Sequence, residues 1–424
     1  MSEQPLRLAY LSYRSKPTVG GQGIYTRHIT KALVDLGHAV EVFSGQPYPV
    51  LDPRIALTKL PSLDIFNDEF PGRFPAYWEL KSLADLAEVA QFSTGAFSEP
   101  FAFSLRAWKE LKPRTTEFDI VHDNQSLGYG MLAINRMLPV LTTLHHPITV
   151  DRRLEMEAAP NWRKRWSIGR WYSFVEMQAR VARRMPRILV VSENSIDDIH
   201  NDMGVERSHM RLVHVGVDPD LFKPNPRVSR RPGHLLTTAS ADAEMKGLKF
   251  LLGAMAKLRA EGRDIRLTVI GRAKPGGPSD TLITDLDLTP YITFVSGVTD
   301  ERIVELYSES EVAVVPSLYE GFSLPAVEAM ASGTPLVATT GGALKEVTGT
   351  DGETVLQCEP GNADALADAL RRALDDPELR DRIGAAGRQR VSELYTWRQS
   401  AIRTVEQYRE VIDLRTHAAD GASR

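Results

Sequence analysis

Cysteine is almost missing from this sequence: Cys358 is the only one in 424 residues. No intramolecular disulfide can form, which points to a reducing compartment and a cytoplasmic protein. Its neighbours Val355, Leu356 and Gln357 read as a strand, so Cys358 is expected as a small core residue rather than a nucleophile. Long apolar runs are missing as well. No window approaches the ~18–20 uninterrupted apolar residues that a membrane span needs, and the first residues carry Glu3 without the apolar core of a secretion signal. A dominant charge is also lacking: Lys and Arg number 51, Asp and Glu 55, for a net charge of −4. Nucleic acid is therefore not expected as a partner, and any basic surface must be local.

Metal-binding and dinucleotide-binding patterns are absent too. His145 and His146 are adjacent, so they diverge on leaving a strand, and no carboxylate or cysteine stands at ligand spacing. The carboxylate pairs Asp218/Asp220 and Asp285/Asp287 fall in a hinge and at a helix end. The expectation is a protein without metal or cofactor. Gly20, Gly21 and Gly23 do not have the dinucleotide fingerprint's spacing, and Glu41 is an insufficient ribose acid, which disfavours a nicotinamide dehydrogenase.

What is present is an α/β alternation long enough for two domains, with 42% hydrophobic and 25% charged residues. Residues 6–13 read as a first strand, followed by a glycine loop, a helix ended by Gly37 and a strand over 39–43. Strand–loop–helix with clustered glycines lets backbone approach a phosphate or sugar. Residues 46–113, rich in proline and aromatics, fit no clean period and read as an insertion of short helices and loops, shaping an acceptor cleft or covering the sheet edge. Strands over 119–123 and 139–144 end in polar residues, among them His145, on the ligand side of a parallel sheet. Residues 152–187 are basic and partly aromatic. They read either as a long solvated surface helix or as contact with an anionic membrane surface, since Trp and Tyr interleave with Lys and Arg. A strand over 188–192 closes the first domain, and the Pro/Arg-rich run 223–232 is the linker. The α/β pattern then restarts, and residues 416–424 are expected to be disordered.

Residues 312–338 organise the second half. An apolar β-branched run gives a buried parallel strand, then comes a tight loop with Glu320 and Gly321. Pro325 stands in the first turn of a helix, Gly333 ends it and Pro335 prevents its return. In open parallel sheets, helix N-termini beyond the strand ends bind anionic or hydroxyl groups. The N–H groups of Gly321, Phe322, Ser323 and Leu324 are placed to do so, while Glu320 and Glu328 accept from hydroxyls.

This stretch, from Pro316 and Ser317 through Glu320-Gly321-Phe322-Ser323-Leu324-Pro325 to Glu328-Ala329-Met330-Ala331, resembles the donor-binding segment of retaining glycosyltransferases of the GT-B fold, group 1 (family four). Ser323 stands where the family has a second glycine. Residues 213–224 resemble the family's hinge, with Val215 replacing an Asn. Lys246-Gly247 matches the end of the family's phosphate motif, but Ser240 and Ala241 replace its Gly-Arg, which leaves Arg272 as a speculative substitute. Val298 follows a turn similar to the one that faces the nucleobase, and Gly341-Gly342 with Glu346 resemble a loop near the donor.

The resemblance implies two Rossmann-like domains facing across a cleft, over 1–216 on the acceptor side and 217–395 on the nucleotide-sugar side. A crossover helix and tail over 396–424 return to the first domain. It implies a hexose transferred from a nucleotide-diphosphate sugar, UDP-sugar preferred over GDP-mannose, to a carbohydrate, polyol or lipid-headgroup acceptor. By the same resemblance Gly21 and Gly23 face the donor phosphates, Lys246 neutralises them, and Glu320 contacts the donor sugar. Glu328 binds the ribose hydroxyls, His145 touches the sugar, and configuration is retained by same-face attack. Rival readings are a nucleotide-sugar epimerase on the same fold and a non-catalytic sugar-nucleotide-binding protein.

Overall fold

A computed structural model describes residues 4–16, 21–67, 72–157, 159–239 and 243–422. The chain divides into two compact units. The first takes in the residues up to Val191, Ser195–Val213 and the chain from Ser400 onward; the second comprises Ser192–Asn194 and His214–Gln399.

The first unit is built on seven strands: β1 (Arg7–Ser12), β2 (Ala39–Ser44), β3 (Ala56–Lys59), β4 (Ile120–Asn124), β5 (Val140–Leu144), β6 (Ile188–Val190) and β7 (Met210–Leu212). They run parallel in the order β3-β2-β1-β4-β5-β6-β7. The central strands are buried on both faces, as expected of near-continuous apolar runs covered by helices. Leu11, Val121, Val140 and Ile188 share a core with Phe103 and Met131 from the helices. The C-terminal helix Trp397–Ala422 is held to this unit at several levels. Tyr408 Oη lies 2.6 Å from His122 Nδ1, Glu410 pairs with Arg187 at 2.6 Å, and Arg415 Nη1 donates to the Asn135 carbonyl at 2.6 Å.

The second unit carries β8 (Arg231–Thr238), β9 (Arg266–Ile270), β10 (Ile292–Val295), β11 (Ser310–Val315), β12 (Leu336–Thr339) and β13 (Leu356–Cys358), all parallel in the order β10-β9-β8-β11-β12-β13. Leu251 and Met255 of helix Leu248–Ala260 and Leu366 and Leu370 of helix Ala363–Asp375 pack on Val269, Val312 and Val337. Cys358 is a buried member of this core, its thiol pushed up to about 12 by burial, which makes it inert.

Several elements depart from the sequence reading. The insertion holds a strand, β3, and two well-formed helices, Leu83–Ser93 and Glu99–Leu111. The long basic helix is broken into Thr149–Glu157, Trp162–Trp171 and Phe174–Ala182. Pro160 is disfavoured inside a helix, and Asn161 then caps a new one by accepting from Lys164 N. β7 follows the strand expected to be last, and the final helix continues to Ala422 rather than ending before 416.

Candidate active site

The second unit's site begins where β8 and β11 end, side by side. Gly247 has φ +63°, and a Cβ there would lie 2.0 Å from the Pro316 carbonyl oxygen, so only glycine permits the contact. Leu318 N donates to the Met245 carbonyl at 2.8 Å and locks the two loops together. This places Lys246, at the end of a single 3-10 turn, against the loop carrying Glu320. Lys246 Nζ is 2.8 Å from Glu320 Oε1, and Ser317 Oγ donates to the same oxygen at 2.7 Å. The Glu320 side chain is 11% exposed and that of Lys246 36%, so the ammonium keeps a solvent-facing side.

A third loop, after β12, fixes the backbone. Gly342, at φ +60°, and Gly341 approach so closely that a Cβ on either would fall 2.4 Å from the carbonyl oxygen of Glu320 or Leu318. Ala343 N donates to the Glu320 carbonyl at 2.8 Å. Glu346, further along, accepts from the backbone N–H of Glu193 at 2.9 Å and lies 3.3 Å from His214 Nε2.

Helix Leu324–Ala331 starts directly after this loop, with Pro325 in its first turn. Ser323 has φ +87°, a left-handed conformation that costs an L-residue roughly 1–2 kcal/mol. The position asks for the glycine that the resembled segment has. Ser323 Oγ is buried with no partner among the described residues. The Phe322 ring is buried, packing against His214 and Tyr395 at centroid distances of 6.2 and 5.5 Å. Only its backbone is suited to the expected role. Leu324 opens the helix and is partly buried, as is Gly321 in the loop.

Glu328 sits one turn in. Burial pushes its carboxyl up to about 7, with the charge of Asp300 adding and the hydroxyl of Tyr307 opposing. Tyr307 Oη lies 3.3 Å from Glu328 Oε2 and 3.2 Å from the Pro325 carbonyl, so one proton is shared between two acceptors. Nothing in the local sequence singled out Tyr307. Val298 is partly buried just past β10, after Gly297 at φ +67°. Arg272 Nε donates to Ser296 Oγ at 2.8 Å. Ser240 and Ala241, which replace the family's Gly-Arg, lie outside the described residues.

In the first unit, Val19 and Gly20 also lie outside the described residues. Gly21 and Gly23, expected in a loop, already form the first turn of helix Gly21–Asp35. A Cβ on Gly23 would meet the Lys16 carbonyl oxygen at 2.0 Å, whereas one on Gly21 would meet nothing within 4 Å. The close approach at Gly23 is thus to the protein's own backbone.

His145 is held by a directed chain. Thr26 Oγ1 donates to the Gln22 carbonyl at 2.8 Å and accepts from Asn124 Nδ2 at 3.0 Å; this leaves Asn124 Oδ1 as the acceptor for His145 Nε2 at 2.6 Å. Nε2 therefore carries the proton and Nδ1 the lone pair. Burial lowers the imidazole to about 4, and Tyr25 packs edge-on at 4.4 Å. His145 is a neutral hydrogen-bond acceptor. His146 instead binds Asp151 at 2.7 Å. His122 and Asp123, at the strand end expected to face ligand, serve the fold: His122 bonds Tyr408 and Thr143, and Asp123 accepts from Ser126 and Leu127 N–H. Among the described residues no group of three His, Cys, Asp or Glu side chains could hold a metal ion, and no helix is long and apolar enough to cross a membrane.

Comparison with known proteins bears on both units. Residues 226–390 match the family model described as glycosyl transferases group 1, and residues 19–221 match that of glycosyltransferase family 4. Over 409 residues the chain is 48% identical to an MMP alpha-(1->4)-mannosyltransferase of Mycolicibacterium hassiacum, covering 96% of this chain and 98% of that one. Among solved structures it is similar to sucrose-phosphate synthase from Thermosynechococcus elongatus, with a TM-score of 0.72 and 22% identity over 96% of this chain and 100% of the other. An Anabaena protein, HepE, solved with UDP-glucose, gives a TM-score of 0.70 at 15% identity, with coverage of 96% and 100%.

Proposed function

The chain belongs to the group 1 glycosyltransferases and has their GT-B fold, and from that premise we propose that it is a retaining, metal-independent mannosyltransferase acting from a nucleotide-diphosphate mannose on a carbohydrate hydroxyl. The mannosyl reading is supported by the 48% identical mannosyltransferase and takes precedence over the UDP-sugar expected from sequence. The observation that carries the proposal is the Lys246–Glu320 pair at the mouth of helix Leu324–Ala331.

In the reaction the bond between the sugar's C1 and the diphosphate oxygen breaks, and a bond from the acceptor oxygen to C1 forms on the same face. The acceptor proton passes to the departing phosphate. Charge grows on that phosphate, where a positioned cation and free helix N–H groups are worth most. Lys246 supplies the cation, which is the role a metal ion would otherwise fill. Glu328, once ionised, accepts from the ribose hydroxyls, and Glu320 takes hydroxyls of the transferred sugar. On the first unit, the lone pair on His145 Nδ1 accepts from a sugar hydroxyl and cannot act as a cation near neutral pH.

The test is to incubate the protein with GDP-mannose or UDP-glucose and a manno-oligosaccharide, with and without EDTA. Products are read by mass spectrometry and by the anomeric NMR signal. Mannosyl transfer with an α linkage, unaffected by EDTA, is expected. Donor conversion without acceptor would favour an epimerase, and binding without any turnover would favour a non-catalytic role.

A further inference from the structure

The first unit exposes an unusual amount of aromatic surface. Trp162 and Trp166 are 72% and 65% exposed, and being four residues apart they share one side of helix Trp162–Trp171. Trp171, half a turn round the helix from that pair, faces the insertion instead: it lies 5.4 Å from Phe66, with Phe66 5.5 Å from Phe92 and Phe92 5.1 Å from Phe74. The insertion separately exposes Tyr77, Trp78 and Leu83, at 81%, 67% and 83%.

Cations accompany this surface. Helix Trp162–Trp171 carries Arg163, Lys164, Arg165 and Arg170 and no acid. Among the described residues none of the four has a carboxylate partner. Arg163 lies over the Trp162 ring at 5.5 Å, while Arg165 and Arg170 donate to the carbonyls of Met156 and Thr94. In the neighbouring helix Thr149–Glu157, Asp151 binds His146, Glu155 binds Tyr172, and the exposed Glu157 forms no ion pair with these cations among the described residues.

We propose that helix Trp162–Trp171, with Trp162 and Trp166 on its exposed side, docks the protein on an anionic phospholipid surface. The two indole rings settle at the headgroup boundary, and the cations without carboxylate partners meet the negative surface. A neutral glycan would stack on the rings but would leave the cations of this helix without complementary charge. A patch of this kind anchors without spanning. The inference concerns a surface outside the donor site and stands whether or not the donor assignment does.

The experiment is co-sedimentation of the full chain with vesicles of phosphatidylcholine alone or with one-third phosphatidylglycerol, at low and moderate salt. Partitioning should rise at least about tenfold with the anionic lipid and fall as salt rises. The exposed pairs Trp162→Ser/Trp166→Ser and Arg163→Glu/Lys164→Glu should each lower it by about tenfold with unchanged circular dichroism. Failure to sediment with anionic vesicles would overturn the proposal. So would salt-independent binding to neutral ones, or retention on immobilised mannan or self-association lost in the Trp variants without any vesicle binding.

Discussion

Lys246 and Glu320 stand 74 residues apart in the chain and 2.8 Å apart in the fold. Each belongs to a different strand-end loop, and Gly247 is what allows those loops to touch. The carboxylate compensates the ammonium here; under the proposed donor binding, the ammonium would serve the diphosphate as well.

Replacing Glu320 by Gln keeps an oxygen for Ser317 and Lys246 but removes the compensating charge. A nucleoside diphosphate should then bind at least as tightly as to the wild type, while kcat for sugar transfer falls by about 10²-fold. Steady-state kinetics alongside calorimetry with the free nucleotide separate the two effects.

If Glu328 binds the ribose as proposed, its raised carboxyl makes donor binding pH-dependent. With its carboxyl raised to about 7 by burial, it is increasingly neutral below that pH and accepts poorly from ribose hydroxyls. Donor affinity should fall as pH drops from 8 to 6, and Glu328→Gln should flatten the profile. The sign for stability is opposite. A carboxyl whose folded pKa is raised contributes stability that is fully present below its unfolded value and lost as pH rises through about 7. Urea unfolding from pH 5 to 8 checks this against the Gln variant.

Gly247→Ala should be among the most damaging single-methyl changes in the second unit. The added carbon would sit 2.0 Å from the Pro316 carbonyl oxygen at a φ of +63°. A loss of roughly 2–4 kcal/mol is expected, together with loss of donor binding as Lys246 moves. Denaturant unfolding and nucleotide titration on the same sample test both.

Ser323→Gly should do the reverse. It removes a left-handed serine and a buried hydroxyl without a partner among the described residues, for a gain of up to about 1–2 kcal/mol. A fall in stability would show that the hydroxyl has a stabilising contact.

Much of this was legible in the sequence because strand and helix periods and glycine positions are local signals. The β11–helix–β12 unit follows from an apolar run, Pro325 and Gly333, and Lys246 and Glu320 followed from the family's pattern. Tyr307 was not legible, because it reaches Glu328 through the packing of two helices. The chain from Thr26 through Asn124 to His145 joins a helix turn and two strand ends that only the sheet order brings together. Phe322 lay inside the matched motif, yet its ring turns into a cluster with His214 and Tyr395, a choice set by burial rather than by the motif. The break in the basic segment was marked by Pro160, whose signal the run of charge obscured.

The most direct test is the dissociation constant of GDP, measured by calorimetry in EDTA, for the wild type and for Lys246→Ala. If Lys246 is the cation on the diphosphate, the variant loses about 1.5–3 kcal/mol, roughly tenfold to over a hundredfold in affinity, while guanosine binds both proteins equally. Equal affinity of the two proteins for GDP would contradict the placing of the donor phosphates at this lysine.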